Sequence, residues 1–420
     1  MRQNIDNVKR NVENLKEKKT DELGKEIRVY IEKYIPEKEI LLLDFVSQQH
    51  FEQFCLRKNV NPQQSENRTM LYIRNIRISK KAEPKEGFHY PIPEELFDQK
   101  HTFENSPINE NGIMLEQITA FFITLRGDND ISFETSAASQ RSILPEAGYF
   151  NWEEDVIKII EDVKIKNEEL KIIIRNVGQA NWNEVYSNGS CKIIYDIGCS
   201  IYYDVNVVKN LINNTPLNHH PVLIISHWDI DHYLALVKFP KLDFNKFRNI
   251  IVPYRLPNKT SEKVLKLFPQ NKVIRIPECS KKLIGRKISS KLIKSTDNLA
   301  LFRGERSSDR NKSGLSLAVI GKYQSVILPA DHTYYQVFRN MYTELPENIP
   351  LNLVTPHHGG KAGSITRALK DLMIMPGASI TSTGKNNYGH PFEETKSQLD
   401  NHGFTWVRTD EGVKDPEIIL

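Results

Sequence analysis

Four side chains that can bind a metal ion lie within six residues of one another, directly after the apolar run PVLIIS. The segment SHWDIDH (226–232) presents His227, Asp229, Asp231 and His232. Imidazole and carboxylate groups are ordinary ligands of zinc and manganese. A tight turn at a strand end can direct all four inward, one pair to each of two adjacent ions. The alternative is a polar surface loop.

Three further segments repeat this arrangement of an apolar run followed by a possible ligand. SVILPADH presents Asp331, NLVTPHHGG presents His357 and His358, and ASITSTGKNNYGHP presents His390. Taken singly, an Asp at a strand end often caps a helix, and an isolated His is often a hydrogen-bonded polar residue. Taken together with SHWDIDH, the three segments indicate one metal centre.

The segment HWDIDH resembles the HxHxDH motif of the metallo-β-lactamase fold hydrolases, with Asp229 in place of the second His. With the segments NVGQANWNEV, KIIYDIG, ILPAD, PHHGG and TSTGKNNYGHP, this HxDxDH variant is most similar to the C-terminal hydrolase domain of the competence DNA-uptake protein ComEC. The resemblance covers about residues 168 to 410. It implies an α+β domain with the four-layer αββα metallo-β-lactamase fold, and a metal-dependent hydrolase.

The resemblance also implies roles for individual residues. The implied metal ligands are His227, Asp229, Asp231, His232, Asp331 and His357. His227 and Asp229 would hold one ion, Asp231 and His232 the other, and Asp331 would bridge the two. Asp196 would orient the HWDIDH loop without binding metal. His357 is favoured over His358 to complete the second ion's ligands, which leaves His358 behind it. No histidine occurs between His232 and His332, so a further ligand common in the fold is absent or replaced.

The expected chemistry follows from two divalent cations, zinc or manganese. Two ions roughly 3.5–4 Å apart lower the pKa of a bridging water and hold both oxygens of an in-line displacement. A phosphodiester, favoured as part of a nucleic acid, is the natural substrate class. Asp229 or Asp231 could accept a proton, and His390 could be a ligand or contact the scissile phosphate. Lys361, Asn387 and Tyr388 are either phosphate contacts or plain loop residues.

The length of 420 residues predicts two domains. We place the first at residues 1–165, as a mixed α/β extension, and the hydrolase domain at residues 166–420. Residues 1–35 carry an apolar stripe of Ile5, Val8, Val12 and Leu15, which predicts a helix that packs on its own domain or docks a protein partner. Helical sequence is also expected near 39–56, and strands at 71–78 and 118–125.

Beyond residue 165, short β-branched runs alternate with helix-length segments, which is typical of layered architectures. Strands are expected at 170–177, 191–198, 221–226, 248–253, 315–321, 325–329, 351–355 and 378–382. Helices are expected at 332–341, 364–373 and 393–401. Asn188 and Gly189 predict a hairpin turn.

Composition excludes some classes and leaves others open. The net charge of +4 gives no global attraction to an anionic partner. The absence of a long apolar run or signal peptide predicts a cytoplasmic protein without a membrane span. The four cysteines, without paired spacing, are expected to be buried reduced thiols.

The basic stretch KKLIGRKISSKLIK (281–294) is either a nucleic-acid contact or solvated helix and loop charge. Two alternatives to a nuclease stay open. One is hydrolysis of a smaller ester, such as a cyclic nucleotide, phosphocholine or a lactone. The other is a component of a multi-protein bacterial defence system.

Overall fold

The structure, a computed structural model, describes most of the chain as two compact units. The described residues are 26–62, 69–78, 83–97, 102–104, 120–125, 131, 133, 151–166, 169–279, 287–307, 309–386, 389–412 and 415–420. The first unit comprises residues 1–105 and 119–141, and the second comprises residues 106–118 and 142–420. The apolar stripe from Ile5 to Leu15 lies outside the described residues.

The first unit is a mixed sheet with one helix. Its described strands are β1 (Arg28–Ile35), β2 (Ile40–Phe45), β3 (Met70–Arg74), β4 (His89–Pro91), β5 (Thr102–Glu104) and β6 (Ala120–Thr124), in the order β4-β1-β2-β3-β6-β5. Helix α1 (Gln48–Arg57) begins after Ser47, whose hydroxyl accepts the backbone N–H of His50. Its Phe51 and Phe54 pack against Phe45 of β2.

Two predictions for this unit are corrected by the sheet. Residues 28–35 form a strand and do not continue the predicted helix, and helical structure starts only at Gln48 within the predicted segment 39–56. The reason is pairing on both sides, since β1 is antiparallel to β2 and to β4. Val29 and Ile31 then share the buried face of the sheet. The strands expected at 71–78 and 118–125 correspond to β3 and β6.

The second unit contains two sheets. In the described residues, the first has the order β12-β11-β10-β9-β8-β7-β20 and the second the order β13-β14-β15-β16-β17-β18-β19. The strands of the first are β7 (Lys171–Ile174), β8 (Asn183–Ser187), β9 (Ser190–Tyr195), β10 (Val222–Ile224), β11 (Ile250–Pro253), β12 (Val273–Ile276) and β20 (Glu417–Ile419). The strands of the second are β13 (Ser290–Ser295), β14 (Leu299–Gly304), β15 (Leu315–Ile320), β16 (Ser325–Leu328), β17 (Leu351–Val354), β18 (Pro376–Thr381) and β19 (Thr405–Arg408).

Alternating side chains of strand β15 show how the layers form. Leu317 and Val319 belong to a core that also contains Ile193 and Ile224 of the first sheet, so the two sheets pack face to face. Ala318 and Ile320 point to the opposite face, into a separate core shared with the helices that follow. Strands buried on both faces read as continuous apolar runs, which explains the sequence LSLAVI.

The second unit also contains helices among its described residues. They are α2 (Trp152–Asp162), α3 (Val205–Asn213), α4 (Ile230–Tyr233), α5 (Lys259–Leu267), α6 (Tyr334–Gln336), which continues as a π-helical turn (Val337–Met341), α7 (Ile365–Leu369) and α8 (Glu393–Asn401). Phe338, Ile365 and Leu399 pack on the second sheet. Helices α3 and α5 connect neighbouring parallel strands of the first sheet, and such crossovers lie on a sheet face.

The predicted α+β fold with αββα layers is confirmed by this arrangement. The strands expected beyond residue 165 are present, although most are shorter than their apolar runs, and the turn at Asn188 and Gly189 has positive φ at both residues. Helix α2, which the sequence analysis put with the N-terminal region, packs into the core between the two sheets through Val156 and Ile160.

Two expectations from composition have direct structural counterparts. Cys55, Cys191, Cys199 and Cys279 are buried free thiols. None of the helices in the described part of the chain has the length and apolar character needed to cross a bilayer.

Candidate metal centre

The predicted ligands come together at the carboxyl ends of strands from both sheets. Asp196 follows β9 and His227 follows β10, which run parallel. Asp331 follows β16, and His357 and His358 follow β17, which is parallel to β16. Parallel strands present their carboxyl ends at one edge of a sheet. Since the two sheets are packed together, both edges contribute to the same cleft.

Asp331 lies at the middle of the cluster, and its two oxygens face different histidines. Oδ1 is 3.3 Å from Nε2 of His232. Oδ2 is 3.7 Å from Nε2 of His227 and 3.8 Å from Nε2 of His357. A carboxylate whose oxygens serve two sides of a cluster can bridge two cations. This agrees with the bridging role implied for Asp331.

One side of the cluster, called here the inner half, consists of Asp231, His232 and His358. Oδ1 of Asp231 is 3.8 Å from Nε2 of His232, and its Oδ2 is 3.3 Å from Nε2 of His358. Both imidazoles are almost fully buried. Their ligand atoms and one from Asp231 lie within 4.8 Å of one another, so these three residues could hold one cation.

The other side, called here the outer half, consists of His227, Asp229 and His357. Nε2 of His227 is 3.5 Å from Oδ2 of Asp229. His227 is buried, whereas the side chains of Asp229 and His357 are 25% and 31% exposed. With Asp331, these residues could hold a second cation that faces the solvent.

The geometry reverses the expected roles of the two adjacent histidines. His357 was expected beside the Asp231 pair and His358 behind it, but His358 contacts Asp231, and His357 lies across Asp331 on the outer half. Both residues have positive φ, 51° and 53°, which turns the chain sharply and sends the rings to opposite sides of Asp331. His357 thus gives the outer half a second imidazole. The sequence has no histidine between His232 and His332 that could supply one.

The lone pairs at the centre of the cluster fit bound cations. Within the described residues, Nε2 of His227, His232 and His358 and Oδ1 of Asp331 are buried without a hydrogen-bond partner. Buried polar atoms are rarely left without partners, because each costs about 1–3 kcal/mol. Four such atoms grouped together are the arrangement expected of a set of metal ligands.

In the inner half, the Nδ1 atoms of His232 and His358 form hydrogen bonds, so their Nε2 atoms remain available to bind metal. Nδ1 of His232 is 2.8 Å from Oδ2 of Asp196, and Nδ1 of His358 donates to the carbonyl of Ser382 at 2.9 Å. Asp196 also accepts the backbone N–H and hydroxyl of Ser226, at 2.7 Å and 2.8 Å. It therefore fixes the start of the HWDIDH loop and the ring of His232, as metal sites commonly require.

Electrostatics in the cluster favour positive charge at its middle. Burial alone would raise the pKa of Asp331, but the surrounding His357, His232 and His227 hold it well below the usual value. Burial alone would lower the pKa of His232, but Asp331 and Asp196 raise it well above the usual value. Protons and metal ions therefore compete for the same position.

Backbone hydrogen bonds from two loops hold the main chain at Asp231. The backbone N–H of Asn181 donates to the carbonyl of Asp231 at 3.1 Å, and the N–H of Gly198 donates to the carbonyl of Asn181 at 2.8 Å. A Cβ atom at Gly198 would overlap the carbonyl oxygen of Asp231. Asn181 and Gly198 lie in the segments NVGQANWNEV and KIIYDIG, which carry the family resemblance. Neither residue was predicted to support the site.

His390 lies at the mouth of the cleft beside the outer half. Its ring centroid is 5.5 Å from that of His357, and its Nδ1 is 3.1 Å from Nε2 of Gln179. Lys361 is exposed, with Nζ 5.8 Å from the ring centroid of Phe392, which packs against His390. Asn387 and Tyr388 lie outside the described residues, so their expected phosphate contacts stay predictions.

Arg310 is a further cation near the cleft that sequence reasoning did not single out for this role. Burial tends to raise the pKa of Asp229, but His227 and then Arg310 lower it below its usual value. The predicted basic stretch is divided by the fold. Lys294 lies on strand β13 and pairs with Glu161 at 2.6 Å, whereas one of the two interpretations of the stretch took it as helix and loop. Lys281, Lys282 and Arg286 lie outside the described residues.

No family model matches the chain, and no curated protein matches it. Several solved structures are similar to it, and three of them are described here. Tm1679, described as a metal-dependent hydrolase of the β-lactamase superfamily, has a TM-score of 0.37 and 13% identity, over 60% of this chain and 99% of its own. The metallo-β-lactamase fold protein YhfI from Bacillus subtilis has a TM-score of 0.36 and 12% identity, over 60% and 99%. The short form of human tRNase Z has a TM-score of 0.34 and 10% identity, over 59% and 98%.

Proposed function

We propose that the chain is a metal-dependent phosphodiesterase that acts on nucleic acid, with two divalent cations, zinc or manganese, held by the inner and outer halves. The observation that carries this proposal is the convergence of the unpartnered Nε2 atoms of His227 and His232 on the two oxygens of Asp331, with the unpartnered Nε2 atom of His358 beside Asp231. The HxDxDH variant, which resembles the ComEC hydrolase domain, supports the choice of nucleic acid.

The ligand assignment follows the distances. His227, Asp229 and His357 would hold the outer cation, Asp231, His232 and His358 the inner one, and Asp331 both. When bound, two such cations supply an acidified water and positive charge against the attacking and leaving oxygens of an in-line displacement. Four imidazoles and three carboxylates suit either zinc or manganese.

The side chains around the outer half supply the remaining steps. Asp229 is the most exposed of the three carboxylates of the centre, and its lowered pKa keeps it ionised and able to accept a proton. The amide of Gln179 holds the ring of His390, and Asn386 accepts the backbone N–H of His390 at 3.2 Å. His390 is therefore positioned to contact the phosphate or to protonate the leaving oxygen.

The test is a substrate panel with a metal titration. The purified chain is stripped with a chelator, reloaded with Mn²⁺ or Zn²⁺, and assayed on bis(p-nitrophenyl) phosphate, single- and double-stranded DNA, RNA, a lactone and a lactam. We expect metal-restored hydrolysis of the phosphodiester and of at least one nucleic acid. Asp231→Ala should retain at most one equivalent of metal and lose this activity.

Other outcomes would replace the proposal. Hydrolysis of small esters alone would favour the smaller-ester enzyme. Metal-loaded protein that hydrolyses no substrate of the panel, but forms a stable complex through its N-terminal residues, would favour a component of a multi-protein defence system.

A further inference from the structure

A second cavity, with a volume of about 460 Å³, lies beside loops that carry the metal ligands. We call it the Lys312 pocket. The residues that matter for its chemistry are Lys287, Asp309, Lys312, Thr333, Tyr335 and Arg367. Its volume falls at the lower end of the range of about 300–1,000 Å³ found for small-molecule sites. One nucleotide-sized group can therefore occupy it.

The Lys312 pocket has an excess of positive charge. Lys312 is neutralised by Asp309, with Nζ 2.6 Å from Oδ2. The ammonium group of Lys287 lies 4.4 Å from the ring centroid of Tyr335, a contact that fixes the cation without cancelling its charge. Among the described residues, no carboxylate is within ion-pair distance of Lys287 or Arg367. Two uncompensated cations at one cavity favour an anionic ligand.

A chain segment that lines the Lys312 pocket also packs against the loop that carries the metal ligands. Lys312, which lines the pocket, belongs to a 3₁₀ turn (Arg310–Lys312). Two residues further along, Gly314 packs so closely on the backbone of Ser226 that a Cβ atom would lie 2.6 Å from its carbonyl oxygen. The segment from Lys312 to Gly314 therefore runs from the pocket to the start of the HWDIDH loop.

Hydrogen bonds make this arrangement rigid. The side chain of Gln336 donates to the carbonyl of Lys312 at 2.8 Å and to the hydroxyl of Ser290 at 3.0 Å. The N–H of Tyr334 donates to the carbonyl of Ala362 at 2.9 Å, which joins the loop after Asp331 to the loop after His358. Both of these loops line the pocket as well as the cleft, so a ligand in the pocket lies next to a group held at the metals.

We infer that the Lys312 pocket binds a phosphate of a nucleic acid strand that flanks the phosphate being hydrolysed. This inference rests on the proposed function and deepens it, because a cyclic nucleotide or a small diester carries no second phosphate to fill the pocket. A strand has anionic groups at regular intervals along its backbone, and grooves that bind single strands follow that backbone with cations.

The experiment compares a pocket variant with a matched control variant. Lys287→Gln/Arg367→Gln removes both uncompensated cations of the pocket. Lys322→Gln/Arg248→Gln removes one Lys and one Arg that precede strands β16 and β11, at the strand ends away from the candidate ligands. Lys322 likewise lies over an aromatic ring, with Nζ 5.0 Å from the ring centroid of Tyr323. Binding of a fluorescent single-stranded oligonucleotide to the full chain in chelator is measured by anisotropy over a range of salt concentrations.

We expect the pocket variant to bind the oligonucleotide about tenfold more weakly at low salt, and the slope of log affinity against log salt to fall by about 0.7 for each lost phosphate contact. In the presence of metal, its KM for the oligonucleotide should rise relative to its KM for bis(p-nitrophenyl) phosphate. The control variant should match the wild type in both respects.

The outcomes separate the two proposals. If the wild type cleaves nucleic acid and the pocket variant behaves like the control, the pocket inference is wrong and the proposed function stands. If no nucleic acid is cleaved but the pocket variant alone loses oligonucleotide affinity and salt slope, the pocket binds a strand and the proposed hydrolysis is wrong.

Discussion

The inner and outer halves of the candidate metal centre contain the same residue types in different surroundings. In the inner half, His232 and His358 are 0% and 1% exposed, and each ring is fixed through Nδ1. In the outer half, Asp229 and His357 are about a quarter to a third exposed. Buried, fixed ligands hold an ion tightly, whereas open ones leave room for water and substrate. The inner half is therefore expected to bind, and the outer half to react.

The largest effect should come from Asp331, because its carboxylate belongs to both halves. Asp331→Asn keeps the shape but removes the charge that faces three imidazoles. We expect loss of both metal equivalents and a fall in kcat/KM on the order of 10³-fold. Elemental analysis and hydrolysis of bis(p-nitrophenyl) phosphate measure the two effects. Asp400→Asn, on the exposed face of α8, is the matched control and should change neither.

The adjacent histidines should separate the halves from each other. His358→Ala removes an inner ligand that lies 3.3 Å from Asp231, so we expect the tight metal equivalent to be lost. His357→Ala removes an outer ligand, so the tight equivalent should remain and the weaker one be lost. We expect a roughly 100-fold fall in activity for the first variant and a smaller one for the second. Equal metal loss in both would contradict the comparison.

A smaller effect is expected at Asp196, which acts on the inner half through His232. Asp196→Asn is the suitable variant because this residue has φ of 61°, a conformation that Asn tolerates better than Ala. We expect metal affinity of the inner site to fall by about 10-fold to 100-fold, as measured by competition with a chromogenic chelator. Unchanged affinity would show that the hydrogen bond to His232 does not position the ring.

The smallest effect at neutral pH is expected at His332, a buried histidine that belongs to neither half. Burial lowers the pKa of His332 to about 4, and its Nδ1 donates to the carbonyl of Pro329 at 2.7 Å. The folded state thus favours the neutral ring. Its contribution to stability is complete above pH 6.5 and is lost as the pH falls towards 4.

His332→Asn keeps a donor for Pro329 and removes the titrating group. The free energy of unfolding should therefore fall less steeply with acid in this variant than in the wild type, by a difference on the order of 3 kcal/mol between pH 6.5 and 4. Denaturant titrations of metal-free protein at a series of pH values measure it. Parallel pH profiles would show that His332 is already protonated when folded.

The sequence predicted the second unit well because its signals are local. Apolar runs mark β10, β15, β16 and β17, and each ligand segment follows its run within a few residues. Local signals do not distinguish the positions of His357 and His358. Spacing places both at the end of β17, but only their consecutive left-handed backbone conformations decide which ring enters which half.

The first unit and the supporting residues depend on contacts that are distant in the chain. Strand β3 pairs with β6, which lies about fifty residues further along the chain. No short-range sequence pattern predicts this pairing. The sequence of residues 28–35 predicts a continuation of the charged helix. These residues form a strand because they pair with β2 and β4, which the segment alone does not predict. Gln179, Asn181 and Arg310 reach the centre from loops far from the ligands, so their types alone gave no reason to select them.

The delivery of ligands from the ends of separate strands has a consequence for the order of events during folding. The segment after β10 brings four residues of the cluster, and the segments after β16 and β17 bring the others, from two sheets that pack face to face. No single hairpin or helix contains a complete set of ligands. The cluster can therefore form only after both sheets have docked, so metal capture is expected among the last steps of folding. Bound metal would then stabilise the fully assembled domain and leave partly folded chains unprotected from proteases.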